Sequence, residues 1–297
     1  MTLLILSDGR MGHLNQSIAL AKHLGAHYEI RSVHFTCKAY KLLSYLLDRL
    51  KIYTTFLFKL DQPLTQNYDL LVSAGSSTYY ANKTLARTLG IKSVTMMLPQ
   101  SYHYDFDLIF AQAHDHPPKQ NNIIPLPANF SYVEPKGLFV PKGKAVGIII
   151  GGNNALFKMD KAHLKSQLDF IFEQFQGYEI AVTTSPRTPK EIEKLVENYP
   201  FAYSVIFSNT KINPIADFVA HCEVVFITID STSMISEAIS YGTSCVEILP
   251  LGKTQNNKFF TMTQTLEKEG YLHLFDGTLA HNSRKIDFNH YAQKVNA

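Results

Sequence analysis

Residues 226–238 read FITIDSTSMISEA, and this stretch decides the class of fold. A run of apolar residues is followed, after a short polar turn, by residues at helical spacing. A buried strand that runs directly into a helix is the repeating unit of a parallel α/β sheet. The stretch therefore predicts a strand over 224–229 and a helix that begins at Ser231.

The same alternation continues on both sides of this stretch. Further strands are predicted at 145–150, 179–183, 202–207 and 244–249, and helices are predicted to begin at Asp160, Pro189 and Pro214. Apolar strands separated by helices favour parallel units that are covered on both faces. Residues 144–275 therefore form a predicted Rossmann-like domain with a doubly wound sheet.

The first half of the chain shows the same pattern. Strands are predicted at 3–6, 28–33, 69–74, 93–98 and 107–111, with helices at 16–24, 39–60 and 78–89. Residues 125–143 concentrate Pro and Gly, so we place a linker there and assign residues 1–135 to a first domain. Residues 276–297 carry a last helix that we expect to pack back across the two domains.

The predicted fold is α/β, with two Rossmann-like doubly wound parallel-sheet domains that face a cleft. Ligands of such sheets bind outside the carboxyl ends of the strands. Polar residues at those ends are therefore the candidates for a functional site.

Composition excludes several classes of protein. The chain has 297 residues, of which 45% are hydrophobic and 18% are charged, so it resembles globular and not disordered chains. Its 28 basic and 25 acidic residues leave a net charge of +3, too small to indicate a nucleic-acid partner. The three cysteines lack the spacing of a disulfide framework or a zinc site. No apolar run approaches the roughly 18 residues of a membrane span, so we expect a cytoplasmic protein, soluble or peripheral on the inner face of a membrane.

The turn after residue 229 is typical of an anion site. Backbone N–H groups, the positive end of a helix dipole and the hydroxyls of Ser231 and Ser233 converge there, as a phosphate would require. The alternative is that Asp230 or a serine only caps the helix. Glu237 does not complete a capping box, because the residue three positions before it is Met234. We therefore expect Glu237 to accept hydrogen bonds from two hydroxyls of a sugar.

Two more turns at strand ends add candidates for the same anion site. Gly151 and Gly152 follow a predicted strand, where glycines allow a ligand to approach the backbone or simply turn the chain. They belong to neither a G-x-G-x-x-G fingerprint nor a P-loop, which disfavours NAD binding and ATP hydrolysis. Thr188 and Pro189 fit an N-cap and a first-turn proline, which leaves Arg187 to meet a diphosphate or only solvent.

Turns at the strand ends of the first half carry candidates for catalysis. The turn Asp8-Gly9-Arg10-Met11-Gly12-His13 places two glycines and a histidine where an acceptor would bind, and His13 suits a general base. Gly75 occupies a second turn, and His114 and Asp115 a third. Adjacent residues on one loop rarely bind one ion, so no metal site is indicated. The chain lacks a G-x-S-x-G elbow, which disfavours a serine hydrolase.

Residues 38–59 interleave basic and large apolar side chains. As a helix they would show a wide apolar surface with a basic fringe, the pattern of a segment that docks on anionic lipid. Burial in the core explains the apolar residues equally well.

Several of these motifs resemble the mitochondrial fission ELM-type family. The resemblance is carried by GRxGxxxQ at 9–16, SAG at 73–75, FD at 106–107, HD at 114–115, GG at 151–152, residues 183–189 and DSxSMxSEA at 230–238. Many bacterial members of that family are assigned as glycosyltransferases. The family is similar to the peptidoglycan N-acetylglucosaminyltransferase, a GT-B enzyme with a nucleotide-sugar donor and a lipid-linked acceptor.

The resemblance implies roles for particular residues. Glu237 would hold the ribose hydroxyls and His13 would lie on the acceptor side. The diphosphate would be surrounded by Gly151, Gly152, Arg187, Ser231 and Ser233. The chain departs from the family pattern at Pro186 and Ser76, where arginines are usual, so one cation is missing at each turn.

These observations together predict a glycosyltransferase that moves a sugar from a nucleoside diphosphate donor to a hydroxyl acceptor. We expect it to act without a metal or bound cofactor, on a lipid-linked or saccharide acceptor of cell-envelope assembly. The donor-binding candidates are Gly151, Gly152, Arg187, Asp230, Ser231, Ser233 and Glu237. The catalytic candidates are His13 and Asp115, with Gly9, Arg10, Gly12, Gly75 and His114 on the acceptor side.

Two alternative functions remain open from the sequence. One is a nucleotide-sugar 2-epimerase, since the same donor domain serves either chemistry. The other is a non-enzymatic, membrane-associated scaffold of the mitochondrial fission type.

Overall fold

The computed structural model describes residues 1–252, 257–282 and 284–296, which divide into two compact units. Unit 1 comprises Met1–Tyr132 and Asp287–Ala297, and unit 2 comprises Val133–Ile286. Each unit is built on a mostly parallel sheet with helices, so the predicted pair of Rossmann-like domains is confirmed. That the two sheets face a common cleft stays a prediction.

Unit 1 alternates strands and helices from its first residues. Its elements are β1 (Thr2–Ser7), α1 (Met11–His23), β2 (His27–Phe35), α2 (Lys38–Arg49), β3 (Phe58–Leu60), β4 (Leu70–Ser73), α3 (Tyr79–Leu89), β5 (Lys92–Thr95), β6 (Leu108–Gln112) and β7 (Ile123–Leu126). The strand order is β3-β2-β1-β4-β5-β6-β7. The order reverses direction between β1 and β4, which is where doubly wound sheets bind their ligands.

The central strands of unit 1 are buried on both faces. Leu3, Leu4 and Ile5 of β1 and Leu71 and Val72 of β4 have no exposed surface. Continuous apolar runs are expected in parallel strands covered by helices on both sides. The core therefore fixes β1 and β4, and their carboxyl ends project the turns that carry the candidate residues.

The predicted helix over 39–60 is wrong in its second half. α2 ends at Arg49, and Lys51 adopts the left-handed region with φ 56°. The amide of Ile52 then donates to the carbonyl of Leu47, which closes the helix. The chain continues through a 3₁₀ turn at Thr55–Leu57 into β3, which pairs antiparallel with β2.

Unit 2 repeats the design of unit 1. Its elements are β8 (Ala145–Ile150), α4 (Lys161–Gln174), β9 (Glu179–Thr184), α5 (Lys190–Val196), β10 (Tyr203–Val205), α6 (Ile215–His221), β11 (Val224–Thr228), α7 (Thr232–Ala238), β12 (Cys245–Leu249), α8 (Lys258–Lys268) and β13 (His273–Leu274). The order β10-β9-β8-β11-β12-β13 is parallel throughout. Its direction reverses between β8 and β11, so the strand ends there are the expected ligand-binding edge.

The chain returns to unit 1 at its C-terminal end. α9 (Phe288–Ala292) packs its Phe288 ring 4.7 Å from the ring of Phe130. Nδ1 of His23 on α1 lies 2.8 Å from Oδ1 of Asn289, within hydrogen-bond distance. Of the predicted C-terminal segment 276–297, the residues up to Ile286 belong to unit 2 and those from Asp287 belong to unit 1.

Among the described helices, none combines the length and the apolar character that crossing a bilayer requires.

Candidate functional site

Three turns meet at the carboxyl edge of the unit 2 sheet. β8 pairs with both β9 and β11, so the turns that follow these strands are neighbours. Gly151 and Gly152 follow β8, Arg187 lies in the turn after β9, and Asp230 follows β11. The structure therefore brings together four of the predicted donor-binding residues, from three separate parts of the sequence.

Asp230 holds these turns together. Its buried carboxylate accepts hydrogen bonds from the amide of Gly152 at 2.9 Å, the hydroxyl of Thr228 at 2.7 Å and Nη2 of Arg187 at 2.9 Å. Burial raises the pKa of Asp230, while the Gly152 and Thr228 hydrogen bonds and the Arg187 charge oppose that rise. All three donors belong to the turns of unit 2 or to β11, so Asp230 acts here as a positioning residue that holds the turns together.

Gly151 and Gly152 are placed by close packing. A Cβ atom at Gly151 would overlap the carboxylate of Asp230, and one at Gly152 would overlap the backbone of Arg187 and Thr188. The glycines therefore let the three turns approach each other. Whether a ligand also approaches them stays a prediction.

α7 begins directly at this edge. Ser231 is the N-cap residue, but its side chain makes no capping hydrogen bond, and both Ser231 and Ser233 are partly exposed. A helix leaves its first backbone N–H groups without intrahelical partners. The start of α7 thus offers hydrogen-bond donors at the edge that carries Arg187, whose side chain is 41% exposed despite its ion pair.

Glu237 lies on α7, four residues after Ser233, and is partly exposed. Burial by the surrounding protein raises the pKa of its carboxyl group to about 7. Within the described residues, no hydrogen-bond donor or cation offsets this effect. A carboxylate that is partly buried and uncompensated would gain free energy from a ligand that donates two hydroxyls to it.

In unit 1 the turn after β1 and the first turn of α1 together build a carboxylate–histidine pair. Nδ1 of His13 lies 2.9 Å from Oδ2 of Asp8, and the Asp8 side chain is 5% exposed. The other Asp8 oxygen accepts from the amide of Arg10 at 3.1 Å. An ionised carboxylate only accepts, so this hydrogen bond selects Nδ1 of His13 as the donor and, in the neutral imidazole, leaves the lone pair on Nε2. This pairing is what orients a histidine as a general base.

Gly75 makes room for this pair. Its φ is +92°, and a Cβ atom there would overlap the His13 ring and the Asp8 carboxylate. Gly9, with φ +81°, and the exposed Gly12 have open space where a side chain would lie. Gly75 is thus required sterically, whereas Gly9 and Gly12 shape the turn and the first turn of α1. Arg10, the N-cap residue of α1, is exposed.

The predicted residues His114 and Asp115 lie in the turn after β6. His114 and Asp115 form a 3₁₀ turn, with Nε2 of His114 4.0 Å from a carboxylate oxygen of Asp115. Burial raises the pKa of Tyr79 to about 12, and the charges of Asp8 and Asp115 both add to that rise. Asp8, the partner of His13, and Asp115 therefore both act electrostatically on the Tyr79 hydroxyl.

A lysine reaches the turn where the family pattern carries an arginine. Nζ of Lys41 on α2 donates to the hydroxyl of Ser76 at 3.1 Å and lies 3.5 Å from the hydroxyl of Ser77. The cation that appeared to be missing at Ser76 is thus supplied by a residue 35 positions earlier in the chain.

Sequence reasoning missed two residues that organise the site. Asp8 lies in the turn quoted above, but it was assigned no role from the sequence. An acidic residue at a strand end, five residues before a histidine, could have indicated the pair. Thr228 bonds both Gly151 and Asp230 from inside β11, and no local pattern marks it. Across the described part of the chain, no group of three or more His, Cys, Asp or Glu side chains is arranged to hold a metal ion.

Solved structures with a similar fold include two nucleotide-sugar proteins. One is Arabidopsis thaliana UGT89C1 complexed with UDP-L-rhamnose, at 12% identity over 99% of this chain and 92% of that chain, with a TM-score of 0.53. Another is the UDP-GlcNAc 2-epimerase from Methanocaldococcus jannaschii, at 11% identity over 99% and 98% of the two chains, with a TM-score of 0.51. At such identities the likeness shows the fold alone, which is that of GT-B glycosyltransferases and epimerases.

Comparisons of sequence identify one relative and one family. "Uncharacterized protein RP120" of Rickettsia prowazekii (strain Madrid E) is 26% identical over 298 residues, which cover 82% of this chain and 81% of that protein. The model of the family described as Mitochondrial fission ELM1 matches residues 11–295, so the resemblance predicted from the sequence is confirmed. Because this match runs over nearly the whole chain, the protein belongs to the Mitochondrial fission ELM1 family.

Proposed function

We propose that this protein is a glycosyltransferase that takes a sugar from a nucleoside diphosphate donor and passes it to a hydroxyl acceptor. The observation that carries the proposal is Glu237, a partly buried carboxylate without a compensating donor, on α7, whose N-cap residue Ser231 directly follows Asp230. A ribose supplies two adjacent hydroxyls, which match the two oxygens of a carboxylate.

The donor diphosphate is assigned to the start of α7 and to Arg187. The first-turn N–H groups of α7 and the serine hydroxyls donate to anions, and the exposed edge of the guanidinium adds positive charge. Asp230 fixes one arm of Arg187, so the cation is held in one orientation before the donor arrives. Groups that are held in place before the reaction stabilise a leaving diphosphate most effectively.

The acceptor is assigned to unit 1, with His13 as the base. Nε2 of His13 takes the proton of the acceptor hydroxyl as its oxygen forms a bond to the anomeric carbon. The bond from that carbon to the diphosphate oxygen breaks, and the nucleoside diphosphate leaves with the electron pair. The Asp8 carboxylate, 2.9 Å from Nδ1, stabilises the imidazolium that forms.

Donor binding can be tested without knowledge of the acceptor. A thermal-shift screen with nucleoside diphosphates and their sugar conjugates should raise the melting temperature, since about 2.7 kcal/mol is gained at a hundredfold excess over Kd. Glu237→Gln should abolish the shift. Glu173→Gln, at an exposed position on α4, is the matched control and should keep it. No shift with any nucleotide would contradict the proposal and would favour the scaffold function.

Turnover separates a transferase from an epimerase. A transferase releases nucleoside diphosphate only when a hydroxyl acceptor is present, whereas a 2-epimerase converts the donor without one. We further propose that transfer needs no metal and that the acceptor is a lipid-linked or saccharide hydroxyl of cell-envelope assembly. Activity that survives EDTA would support the first part, and loss that Mg²⁺ restores would contradict it.

A further inference from the structure

Helix α2 exposes three of its four leucines to solvent and buries two of its polar residues, although Leu47 still packs against the core. Leu42 is 71% exposed, and Ser44 and Asp48 are completely buried. In an ordinary surface helix the apolar stripe faces the core and the polar residues face water. α2 is therefore inverted, and its outer surface calls for a separate explanation.

Specific polar contacts hold the helix in this rotation. The Ser44 and Tyr102 hydroxyls lie 2.9 Å apart. Asp48 accepts from Nζ of the fully buried Lys83 at 2.7 Å and from the amide of His103 at 2.7 Å. Rotating α2 so that its leucines face inward would separate Asp48 from Lys83. Separation would leave a buried charge without its partner, which is strongly unfavourable.

The outer side of α2 and the segment that follows it carry exposed apolar side chains together with exposed basic side chains. The α2 apolar face consists of Leu42, Leu43, Leu46, Leu50, Ile52 and Phe56, all exposed. The basic border consists of Lys38, Arg49, Lys51 and Lys59, all exposed. Within residues 38–59 the single acidic residue is Asp48, which is buried against Lys83, so this segment itself adds no exposed negative charge to the border.

We infer that the α2 apolar face docks unit 1 on an anionic lipid bilayer. Leucine and phenylalanine side chains enter the boundary between head groups and acyl chains, while surrounding lysines and arginines bind the anionic head groups. A second copy of this chain fits less well, because a symmetric interface would bring the two basic borders together. The positive charge of the basic border thus favours binding to a negatively charged surface over binding to the same face of a second copy.

The position of α2 relates this surface to the candidate catalytic residues of the same unit. Lys41, on the inner edge of α2, contacts Ser76, which directly follows the Gly75 that packs against His13 and Asp8. This step alone rests on the proposed function. If unit 1 docks on a membrane through α2, the hydroxyl of a membrane-bound acceptor would lie next to the proposed base, His13. The docking surface itself does not depend on that function.

The test is binding to vesicles of phosphatidylcholine in which about a third of the lipid is phosphatidylglycerol. The full chain should co-sediment with these vesicles and much less with pure phosphatidylcholine. Leu42→Ser/Leu46→Ser should lower the partition coefficient at least tenfold. Lys38→Glu/Arg49→Glu should lower the partition coefficient by at least about fivefold for each of the two positive charges that it removes. Leu89→Ser on α3 and Lys119→Glu between β6 and β7, both exposed in unit 1, are the matched controls and should bind as the unchanged protein does.

A fluorescence reporter makes the result independent of any effect on folding. The chain contains no tryptophan, so Leu46→Trp has a single indole whose emission should shift to the blue with anionic vesicles. Leu89→Trp should show no shift. Binding that the leucine and charge variants leave unchanged would overturn the inference. So would self-association of the unchanged chain that Leu42→Ser/Leu46→Ser abolishes while no vesicle binding is seen.

Failure of this inference and failure of the proposed function are separable. The leucine variants should keep the nucleotide-dependent thermal shift, and Glu237→Gln should keep vesicle binding. A chain that binds nucleotides but no vesicles refutes only the docking surface. A chain that binds vesicles but no nucleotide refutes only the donor site.

Discussion

Nδ1 of His13 lies 2.9 Å from Oδ2 of Asp8, and the glycine at position 75 is what allows the two side chains to lie there. The pair sits at the carboxyl ends of β1 and β4, where the strand order of unit 1 reverses. A histidine oriented by a nearly buried carboxylate is equipped to accept a proton at its other ring nitrogen.

Removing the pair should affect turnover and spare donor binding. We expect His13→Ala to lower kcat by about a hundredfold to ten-thousandfold, the usual contribution of a general base. Asp8→Asn should also lower kcat, by up to about ten-thousandfold, since it removes the carboxylate that selects the tautomer of His13. Initial-rate kinetics with varied donor should show an unchanged KM. His34→Ala, at an exposed histidine of β2, is the control, and a comparable loss there would refute the assignment.

Gly75→Ala should disable the pair by steric overlap. The new Cβ would collide with His13 and Asp8, in addition to the left-handed strain of about 1–2 kcal/mol that φ +92° imposes. We expect a loss of stability larger than this strain alone and near-complete loss of activity. Gly90→Ala carries the same kind of strain at φ +67° but has open space around it, so it should lose stability and keep activity. Denaturant unfolding and activity assays on both variants distinguish overlap from backbone strain.

The Glu237 carboxyl group should make stability depend on pH. Its pKa is raised from 4.5 to about 7 in the folded protein, so stability should fall as pH rises from 4.5 through 7. Above pH 7 the folded state holds a poorly solvated charge, at a cost of up to about 3 kcal/mol. Glu237→Gln should therefore be more stable than the unchanged protein at pH 8 and equally stable near pH 4. Urea unfolding at both pH values measures this, and a difference that does not grow with pH would count against it.

Arg187 and Asp230 should respond differently to substitution, although they form one ion pair. Arg187→Met should cost about 0–1 kcal/mol, because the guanidinium is substantially exposed. It should nevertheless weaken nucleotide diphosphate binding. Asp230→Ala leaves the Gly152 amide and the Thr228 hydroxyl without their buried acceptor, so it should cost about 2–5 kcal/mol. Equal losses of stability in the two variants would mean that Asp230 does not hold the turns.

Much of the fold could be predicted because local signals agreed with the final packing. Apolar runs marked the central strands, and Asp160 caps α4 with hydrogen bonds to the amides of residues 162 and 163. Gly25 and Gly90, both at positive φ, end α1 and α3 where the sequence placed them. β13 was not predicted because a strand of two residues carries too short a pattern, and β7 was not predicted because it contains Pro125, which was assigned to the linker.

The site was predictable only where its residues act locally. The strand-end turns identified Gly151, Gly152 and Gly75, but the reason for these glycines is contact with residues far along the chain. Thr188 was interpreted as a helix cap, and this was wrong, because Pro189 has ψ 145° and lies outside the helix. The Thr188 hydroxyl instead donates to the carbonyl of Gly151, 37 residues away. No periodicity or capping rule reports contacts of that range.

The C-terminal return of the chain has a consequence for synthesis. α9 and the residues after it belong to unit 1, and the Phe288 ring packs against Phe130, so that unit is interrupted in sequence by the whole of unit 2. During synthesis on the ribosome, unit 1 lacks α9 until unit 2, about half of the protein, has been translated. A nascent chain that stalls before residue 287 would leave the phenylalanine surface beneath α9 uncovered, which makes it a natural target for chaperones.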